Sequence, residues 1–424
     1  MKIIWDINDF CNMKCKYCGA VEYKKSNNRL STDEMKEVIN SLEGLADEVE
    51  LFGGEPFLIS DAVGILEYIS IKGLSISITT NGQEDLEILN TICDKNVKLK
   101  NLSVSLDGIA DVNDIVRGVG TYAKAQRFLE RALELKRQGK ITANVGISAV
   151  LTTVNAKTIG TQLSKWIEQS VDFVIISPVA EIGRAKEAKE LVPNAKQLLD
   201  IYEDIGVNIA GRKWENKIYL DMKYPMLGEY LDAKFGTKFP IEKQTCEAVS
   251  DILYVSSDGK LKPCREFSDV IADLKHENVY DKIQGLELFI KHQKNHVIKK
   301  NCDCIYAENC NICCLSVDDS KSELCMEVER RYNISNLQNR LEFELTEKCC
   351  RIQDEKTDYY AIQYFYPNER VEYEKIGFDI LSSVSKRKKN AHEIAKETGV
   401  DATLIFRFLI QSYSKGHVYR TEVC

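Results

Sequence analysis

The chain has 424 residues, 44% of them hydrophobic and 29% charged, which supplies real cores and rules out a mostly disordered chain. A formal net charge of -8 argues against a basic nucleic-acid binder, and 7 prolines with 23 glycines exclude collagen-like and linker-rich classes. No apolar run approaches the roughly 20 residues of a membrane helix, and Asp6 and Asp9 fall where a signal peptide needs its apolar stretch, so the expected location is cytoplasmic, with no membrane partner.

In chain order, the first 180 residues alternate strand and helix patterns. Lys2–Asp6 reads as a strand and Thr32–Leu45 as a helix capped by Ser31 or Thr32. Strand Val49–Phe52 runs into Gly53-Gly54 and precedes helix Asp61–Ile71. Strand Leu74–Thr80 runs into Asn81-Gly82 and precedes helix Glu84–Cys93. Strand Leu102–Leu106 ends at Asp107-Gly108 and is followed by the long helix Thr121–Arg137. Strand Ala143–Leu151, helix Ala156–Gln169 and strand Phe173–Ile176 complete the series. This alternation implies parallel strands with helical crossovers. Six β/α units are too few for an eight-fold barrel, which leaves an open barrel or a doubly wound sheet. Glycines and small polar residues gather at successive strand C-terminal ends, the rim where such barrels carry their sites.

Residues 185–245 read as a helical connector with irregular loops around Lys223–Pro240, and 326–348 as a charged helix. Tyr359–Phe365 is an expected strand followed by a turn at Pro367-Asn368-Glu369. Helix Glu374–Val384 comes next, then Ala391–Thr398 capped by Asn390. A Gly399-Val400 turn leads to Ala402–Tyr413, capped by Asp401, and His417–Arg420 reads as a wing strand.

Cysteine is the outlier, at 15 residues; in a reducing compartment clustered thiols point to metal ligation or catalysis. The five histidines all lie at His276 or beyond, so the first 275 residues cannot build a His-dependent triad or a zinc–histidine site by themselves. Cys11, Cys15 and Cys18 follow a C-x3-C-x2-C spacing just after the first strand. Three thiolates on one tight loop can hold three irons of a [4Fe–4S] cluster and leave the fourth open, whereas zinc would want a fourth protein ligand and normally uses C-x2-C pairs.

The run Asp6–Gly19, with the aromatic Tyr17 before the last cysteine, resembles the cluster loop of the radical S-adenosylmethionine (radical SAM) superfamily. That resemblance implies a partial (β/α)6 barrel, with SAM bound to the open iron through its amino and carboxylate groups. Reductive cleavage of SAM would then give a 5′-deoxyadenosyl radical that abstracts hydrogen from an unactivated C–H bond. Gly53-Gly54-Glu55-Pro56 resembles the family's GGEP motif, whose glycines permit close backbone approach and whose carboxylate can accept from the methionyl ammonium. Thr80-Asn81-Gly82 matches a third-strand motif. Ser105-Leu-Asp107-Gly108 with Arg117 matches a pair that holds the SAM carboxylate and ribose; Arg184 is a further candidate.

The second cysteine set is Cys246, Cys264, Cys302, Cys304, Cys310, Cys314 and Cys325. It resembles the SPASM extension of radical SAM peptide-modifying enzymes, except that one residue separates Cys302 from Cys304 where the pattern has two. The resemblance implies two auxiliary [4Fe–4S] clusters, making three in all. Cys246, Cys264 and Cys314 would serve the first, and Cys302, Cys304, Cys310 and Cys325 the second. Either Cys313 or another residue completes the first, or its iron is open. A zinc ribbon is the alternative for this set alone. Cys93 reads as a core thiol, and Cys349, Cys350 and Cys424 receive no role.

From about residue 350 the chain resembles the small winged-helix domains that accompany ribosomal-peptide maturases and capture a leader as an added β-strand. The expected division is a radical SAM barrel at 1–215, connector and SPASM domain at 216–340, and a winged-helix-like domain at 341–424. Tyr359–Phe365 or His417–Arg420 is the expected leader edge. The implied activity is radical modification of a ribosomal precursor peptide, giving a thioether or carbon–carbon crosslink, with an external electron donor such as flavodoxin or ferredoxin. A sulfatase-type protein maturase or small-molecule dehydrogenase would use the same clusters. A redox-sensing DNA-binding regulator is the non-enzyme alternative. Against it stand the SAM motifs and the mostly apolar helix Ala402–Tyr413, which leaves few polar side chains to read bases.

Overall fold

The computed structural model describes residues 1–23, 30–95, 97–210, 218–220, 225–236, 248–249, 251–277, 279, 323–331, 341–346, 349–354, 359–365, 368–385, 387–414 and 417–422. Cys246, Cys302, Cys304, Cys310, Cys313, Cys314 and Cys424 lie outside them, and so does most of the expected auxiliary ligation. The chain divides into two compact units: Met1–Cys302 with Cys310–Leu324, and Asp303–Asn309 with Cys325–Cys424.

The first unit is built on one sheet. Strands β1 (Lys2–Asn8), β2 (Glu48–Gly53), β3 (Ser75–Thr80), β4 (Leu99–Ser105), β5 (Asn144–Leu151), β6 (Phe173–Pro178) and β7 (Ile218–Leu220) lie side by side in sequence order, all parallel. A doubly wound sheet must reverse its strand order at a switch point. This order never reverses, so the open-barrel alternative holds: the fold is a partial (β/α)6 barrel wall, extended by β7. On the other side of β1 the sheet continues into β8 (Ile252–Val255), parallel to β1, and then into β9 (Lys260–Lys262) and β10 (Ala272–Asp273), both antiparallel. Local pattern does not disclose that join, because Ile252 of β8 pairs with Lys2 of β1, far away in sequence, and pairing is a tertiary choice.

Alternation sorts the strand residues onto two faces. Ile3, Trp5, Val49, Leu51, Ile76, Ile78, Leu102, Val104, Val145 and Ile147 are buried. The opposite positions carry Asp6, Glu48, Glu50, Ser77, Asn101, Ser103 and Ser105. Helix α1 (Thr32–Ser41) starts at Ser31, which decides between the two expected caps: Ser31 Oγ accepts from the Glu34 amide, and Glu34 accepts in return from the Ser31 amide. Between β4 and the long helix Thr121–Arg137 stands a helix that the sequence pattern did not reveal, Ala110–Arg117.

Two expectations are corrected. Pro225–Phe235 is a helix, inside the span read as irregular. Its Leu227, Tyr230 and Leu231 are buried at i, i+3 and i+4, and a proline at the first helical position costs no hydrogen bond. The 326–348 helix is likewise two different things: helix Glu323–Arg331, and strand β11 (Leu341–Leu345), where Leu341, Phe343 and Leu345 alternate with glutamates at the strand period of two.

In the second unit, β11 pairs antiparallel with β15 (Val418–Glu422). Strands β12 (Cys349–Asp354), β13 (Tyr359–Phe365) and β14 (Asn368–Glu372) form an antiparallel sheet in that order. Tyr359–Phe365 is therefore the middle strand, not an edge. Its backbone groups are shared with both neighbours, and the edges are β12 and β14. Helices Lys375–Ser383, Ala391–Thr398 and Ala402–Ser414 follow the expected boundaries closely. Asn390 and Glu393 form a capping box, Gly399 ends its helix at φ 72°, and Asp401 Oδ1 accepts from the Thr403 and Leu404 amides. Ile405, Phe406, Leu409 and Ile410 are buried, so the last helix spends its apolar face on packing.

Candidate active site

The cysteine loop leaves the C-terminal end of β1. Its course is set by β2, which passes it backbone to backbone: the Gly54 amide donates to Asn8 O at 2.8 Å and the Glu55 amide to Phe10 O at 2.7 Å. A Cβ on Gly53 would stand 2.2 Å from Asn8 O, and one on Gly54 would stand 1.8 Å from Phe10 O. The two glycines are thus required by the loop's own backbone, whatever ligand approaches later. Asn8 Nδ2 closes the turn by donating to Glu55 O at 2.7 Å.

Glu55 is 1% exposed and gathers the next motif. Its carboxylate accepts from Thr80 Oγ1 at 2.7 Å, the Asn81 amide at 2.7 Å and the Phe57 amide at 3.3 Å. Burial pushes its pKa up to about 7 against those three donors. Asn81 then reaches the cysteine loop, its Nδ2 lying 3.6 Å from Cys11 Sγ and 2.8 Å from Asn12 Oδ1. The Met13 amide donates to Cys11 Sγ at 3.4 Å. The motifs at β2 and β3 and the first cysteine are one hydrogen-bonded assembly.

A second assembly centres on Asp107, which is fully buried. Arg117 grips it bidentately, Nε to Oδ2 at 2.8 Å and Nη2 to Oδ1 at 3.0 Å. Tyr17 Oη donates to Oδ2 at 2.5 Å and the Val150 amide to Oδ1 at 2.9 Å. Asn155 Nδ2 donates to Asp107 O at 2.9 Å, and Asn113 Oδ1 accepts the Asp107 amide at 3.1 Å. The Arg117 guanidinium also lies 5.6 Å over the Tyr17 ring. The fork expected to hold a ligand carboxylate holds the protein's own, and it anchors the cysteine loop through Tyr17. Burial works to lower the Arg117 pKa, but Asp107, Tyr17 and Cys15 together hold it raised. Ser105 lies on the polar face of β4, in register with Ser148 of β5. Asp107 stood in the motif without a role, Asn113 had none, and Asn155 carried no sequence signal, because its partner is 48 residues away.

Arg184 completes the loop's support, its Nη1 donating to Cys15 O at 3.2 Å and its amide to Cys18 O at 3.1 Å. Cys11, Cys15 and Cys18 are half-buried on this frame. Burial pushes the Cys15 thiol up to about 11, and each of its two sister thiols adds to the rise. Such thiols release their protons when a cation takes the proton's place. A single tetrahedral ion needs its sulfurs drawn within about 2.3 Å of it. Among the described residues no three His, Cys, Asp or Glu side chains are gathered that way. Three thiols on one loop, with an amide N–H and a carboxamide donor aimed at Cys11, fit a cluster that gives each sulfur its own iron. Of the second cysteine set, Cys264 is half-buried just after β9 and Cys325 is buried in helix Glu323–Arg331.

The buried Glu55 makes a pH test. Its folded-state pKa lies above the value of 4.5 for a free glutamate, so the folded protein binds the extra proton between about pH 4.5 and 7 and stability falls as pH rises through that window. Glu55→Gln is expected to flatten that decline, worth about 3 kcal/mol in the wild type. Denaturant unfolding at pH 5 and pH 8 measures it; an equal decline in both proteins would show that Glu55 does not titrate there.

Residues 5–159 match the model of the Radical SAM superfamily. The chain is 37% identical over 139 residues to an Fe-coproporphyrin III synthase of Methanosarcina barkeri, covering 31% of this chain and 34% of that protein. It is 29% identical to the mycofactocin maturase MftC of Mycolicibacterium smegmatis, covering 47% of this chain and 50% of that one. The chain thus spans half or less of the length of these relatives. In fold it is similar to Streptococcus suis SuiB bound to precursor peptide SuiA, at 16% identity and a TM-score of 0.51 over 66% of this chain and 63% of that one. It is also similar to anSMEcpe with bound AdoMet, at 17% identity and a TM-score of 0.56 over 80% of this chain and 98% of that one.

Proposed function

Because the chain carries a radical SAM domain over residues 5–159, we propose that it is a cytoplasmic enzyme that modifies a ribosomally made precursor peptide. The observation that carries this reading is the cysteine loop seated between the Glu55–Asn81 and Asp107–Arg117 assemblies. In it Cys11, Cys15 and Cys18 hold a [4Fe–4S] cluster, and Tyr17, Gly53, Gly54, Glu55, Thr80, Asn81, Ser105 and Arg117 shape the SAM site. When bound, that cluster and SAM supply a carbon radical able to take hydrogen from an unactivated C–H bond. The chain's own part is to hold the loop and to fix the charges of Asp107 and Arg117.

The proposed division is 1–215 for the barrel, 216–340 for the connector and SPASM region with two auxiliary clusters, and 341–424 for substrate recruitment. Electrons come from a flavodoxin- or ferredoxin-type donor. The product is a thioether or carbon–carbon crosslink. The similarity to MftC and the fold shared with SuiB support a peptide substrate. An extended leader would add to an edge of the three-stranded sheet, and β12 and β14 are the edges available.

The test is anaerobic reconstitution with SAM, a reductant and a peptide encoded by a short reading frame beside the coding sequence. Release of 5′-deoxyadenosine and a peptide lighter by two hydrogens is expected. A proline at Arg370 in β14 or at Arg351 in β12, whose amides alternate away from β13, should weaken peptide binding about tenfold at one edge only, because proline removes a strand donor. A protein that cleaves SAM but leaves every such peptide unchanged would count against the peptide reading.

A further inference from the structure

The end of β1 carries a carboxylate that none of this chemistry employs. Asp6 is 6% exposed, and three donors converge on it. Arg265 reaches it with Nε at 3.0 Å from Oδ2 and with Nη2 at 2.5 Å from Oδ1 and 2.6 Å from Oδ2; Tyr254 Oη donates to Oδ2 at 2.7 Å. Tyr254 belongs to β8 and stands opposite Ile4 of β1. The guanidinium carbon of Arg265 lies 5.9 Å from the centroid of the Tyr254 ring, and Lys262 Nζ lies 5.7 Å from it. Arg265 directly follows Cys264, and β1 leads from Asp6 straight into the loop of Cys11.

A buried carboxylate needs a compensating charge, and a guanidinium fork supplies one with fixed geometry. The pair therefore joins two places 259 residues apart in sequence, the turn that bears Cys264 and the strand that feeds the N-terminal cysteine loop. The β8–β1 ladder alone ends at Val255 opposite Trp5, so nothing in that ladder extends to the turn beyond β9.

We propose that Asp6 and Arg265, steadied by Tyr254, are positioning residues: they latch the Cys264 turn to β1 and balance the charge beside the cluster that Cys264 ligates. This rests on the proposed assignment of Cys264 to an auxiliary cluster. The potential of an iron–sulfur cluster follows the net charge and hydrogen bonding around its sulfurs. Asp6→Asn removes one negative charge and keeps the guanidinium, which favours the more negative, reduced cluster and raises the potential. Arg265→Gln leaves the carboxylate instead and lowers it. A contact that merely packed the turn would not produce shifts of opposite sign.

The measurement uses the full-length chain with Cys11, Cys15 and Cys18 replaced by alanine, so that only auxiliary clusters contribute signal. Iron content, an EPR-monitored redox titration and amide hydrogen exchange over residues 256–267 are recorded. Asp6→Asn is expected to shift the potential up and Arg265→Gln down. Both should speed exchange in the turn about tenfold or more, the equivalent of one lost charge-assisted hydrogen bond. Tyr254→Phe keeps both charges and should leave the potential in place. If Asp6→Asn does not fold, Arg265→Lys carries the test: exchange rises because the fork is lost, while the potential holds because the charge is kept. Unchanged exchange in that variant overturns the latch. With iron fully loaded, shifts that are absent or equal in sign overturn the charge-balancing role while leaving the cluster assignment intact. A parent protein that binds no iron overturns the cluster assignment and the charge-balancing role that rests on it, while exchange in the turn still decides the latch.

Discussion

Replacing Cys11, Cys15 and Cys18 together with alanine is expected to abolish reductive cleavage of SAM and to remove about four irons. The loss should come without unfolding. The loop's course is set by backbone groups that the substitution leaves in place: Lys16 N to Val116 O at 2.8 Å, Arg184 N to Cys18 O at 3.1 Å, and Gly54 N to Asn8 O at 2.8 Å. None of the three thiols belongs to the buried apolar core. Iron and sulfide assays on anaerobically reconstituted protein, with chromatographic detection of 5′-deoxyadenosine, measure both effects. Thermal unfolding of the iron-free proteins checks the third. Wild-type release of 5′-deoxyadenosine from the triple variant would remove this loop from the chemistry altogether.

Asp107→Ala carries the largest expected cost in stability, about 3–5 kcal/mol, because it strands a buried charge. Arg117 would lose both of its contacts to the carboxylate, and Tyr17 Oη and the Val150 amide would each lose an acceptor. The damage should spread to the cluster of Tyr17, Val116, Val179, Ala185 and Leu191, which packs around the same ring. Tyr17→Phe, which removes one donor and keeps the ring, should cost only about 1 kcal/mol. Arg117→Met added to Asp107→Ala should recover part of the loss, since the uncompensated cation is then gone. Denaturant unfolding of the four proteins tests the set. A cost for Asp107→Ala no larger than that for Tyr17→Phe would mean that water reaches Arg117 and that the network is not closed.

Much of the barrel was legible because its signals are local. A strand such as Ser75–Thr80 and a helix such as Thr121–Arg137 declare themselves by period, and caps such as Ser31 and Asn390 by side chains that bond within three residues. Where two periods compete, as in the charged run ending at Leu341–Leu345, the pattern predicts helix and the structure is strand. Short apolar alternation inside a charged segment satisfies both templates until a partner such as Val418–Glu422 is in place. The site motifs were legible for the same local reason: each is a few residues at one strand end.

By itself the sequence determined the order of β/α units, the cysteine loop on the first strand, and the residue types at each rim position, because spacing and side-chain chemistry are properties of the chain. Only the tertiary structure decided what those side chains face. It gave Arg117 to Asp107, and it turned the glycines at 53 and 54 toward the loop backbone. It placed Tyr359–Phe365 in the centre of its sheet and brought Arg265 to Asp6. The reason is physical: a buried carboxylate takes whichever donor the fold carries to it, and a strand is an edge or a centre only by virtue of its neighbours. Both are set by contacts across tens to hundreds of residues, about which the local pattern holds no information.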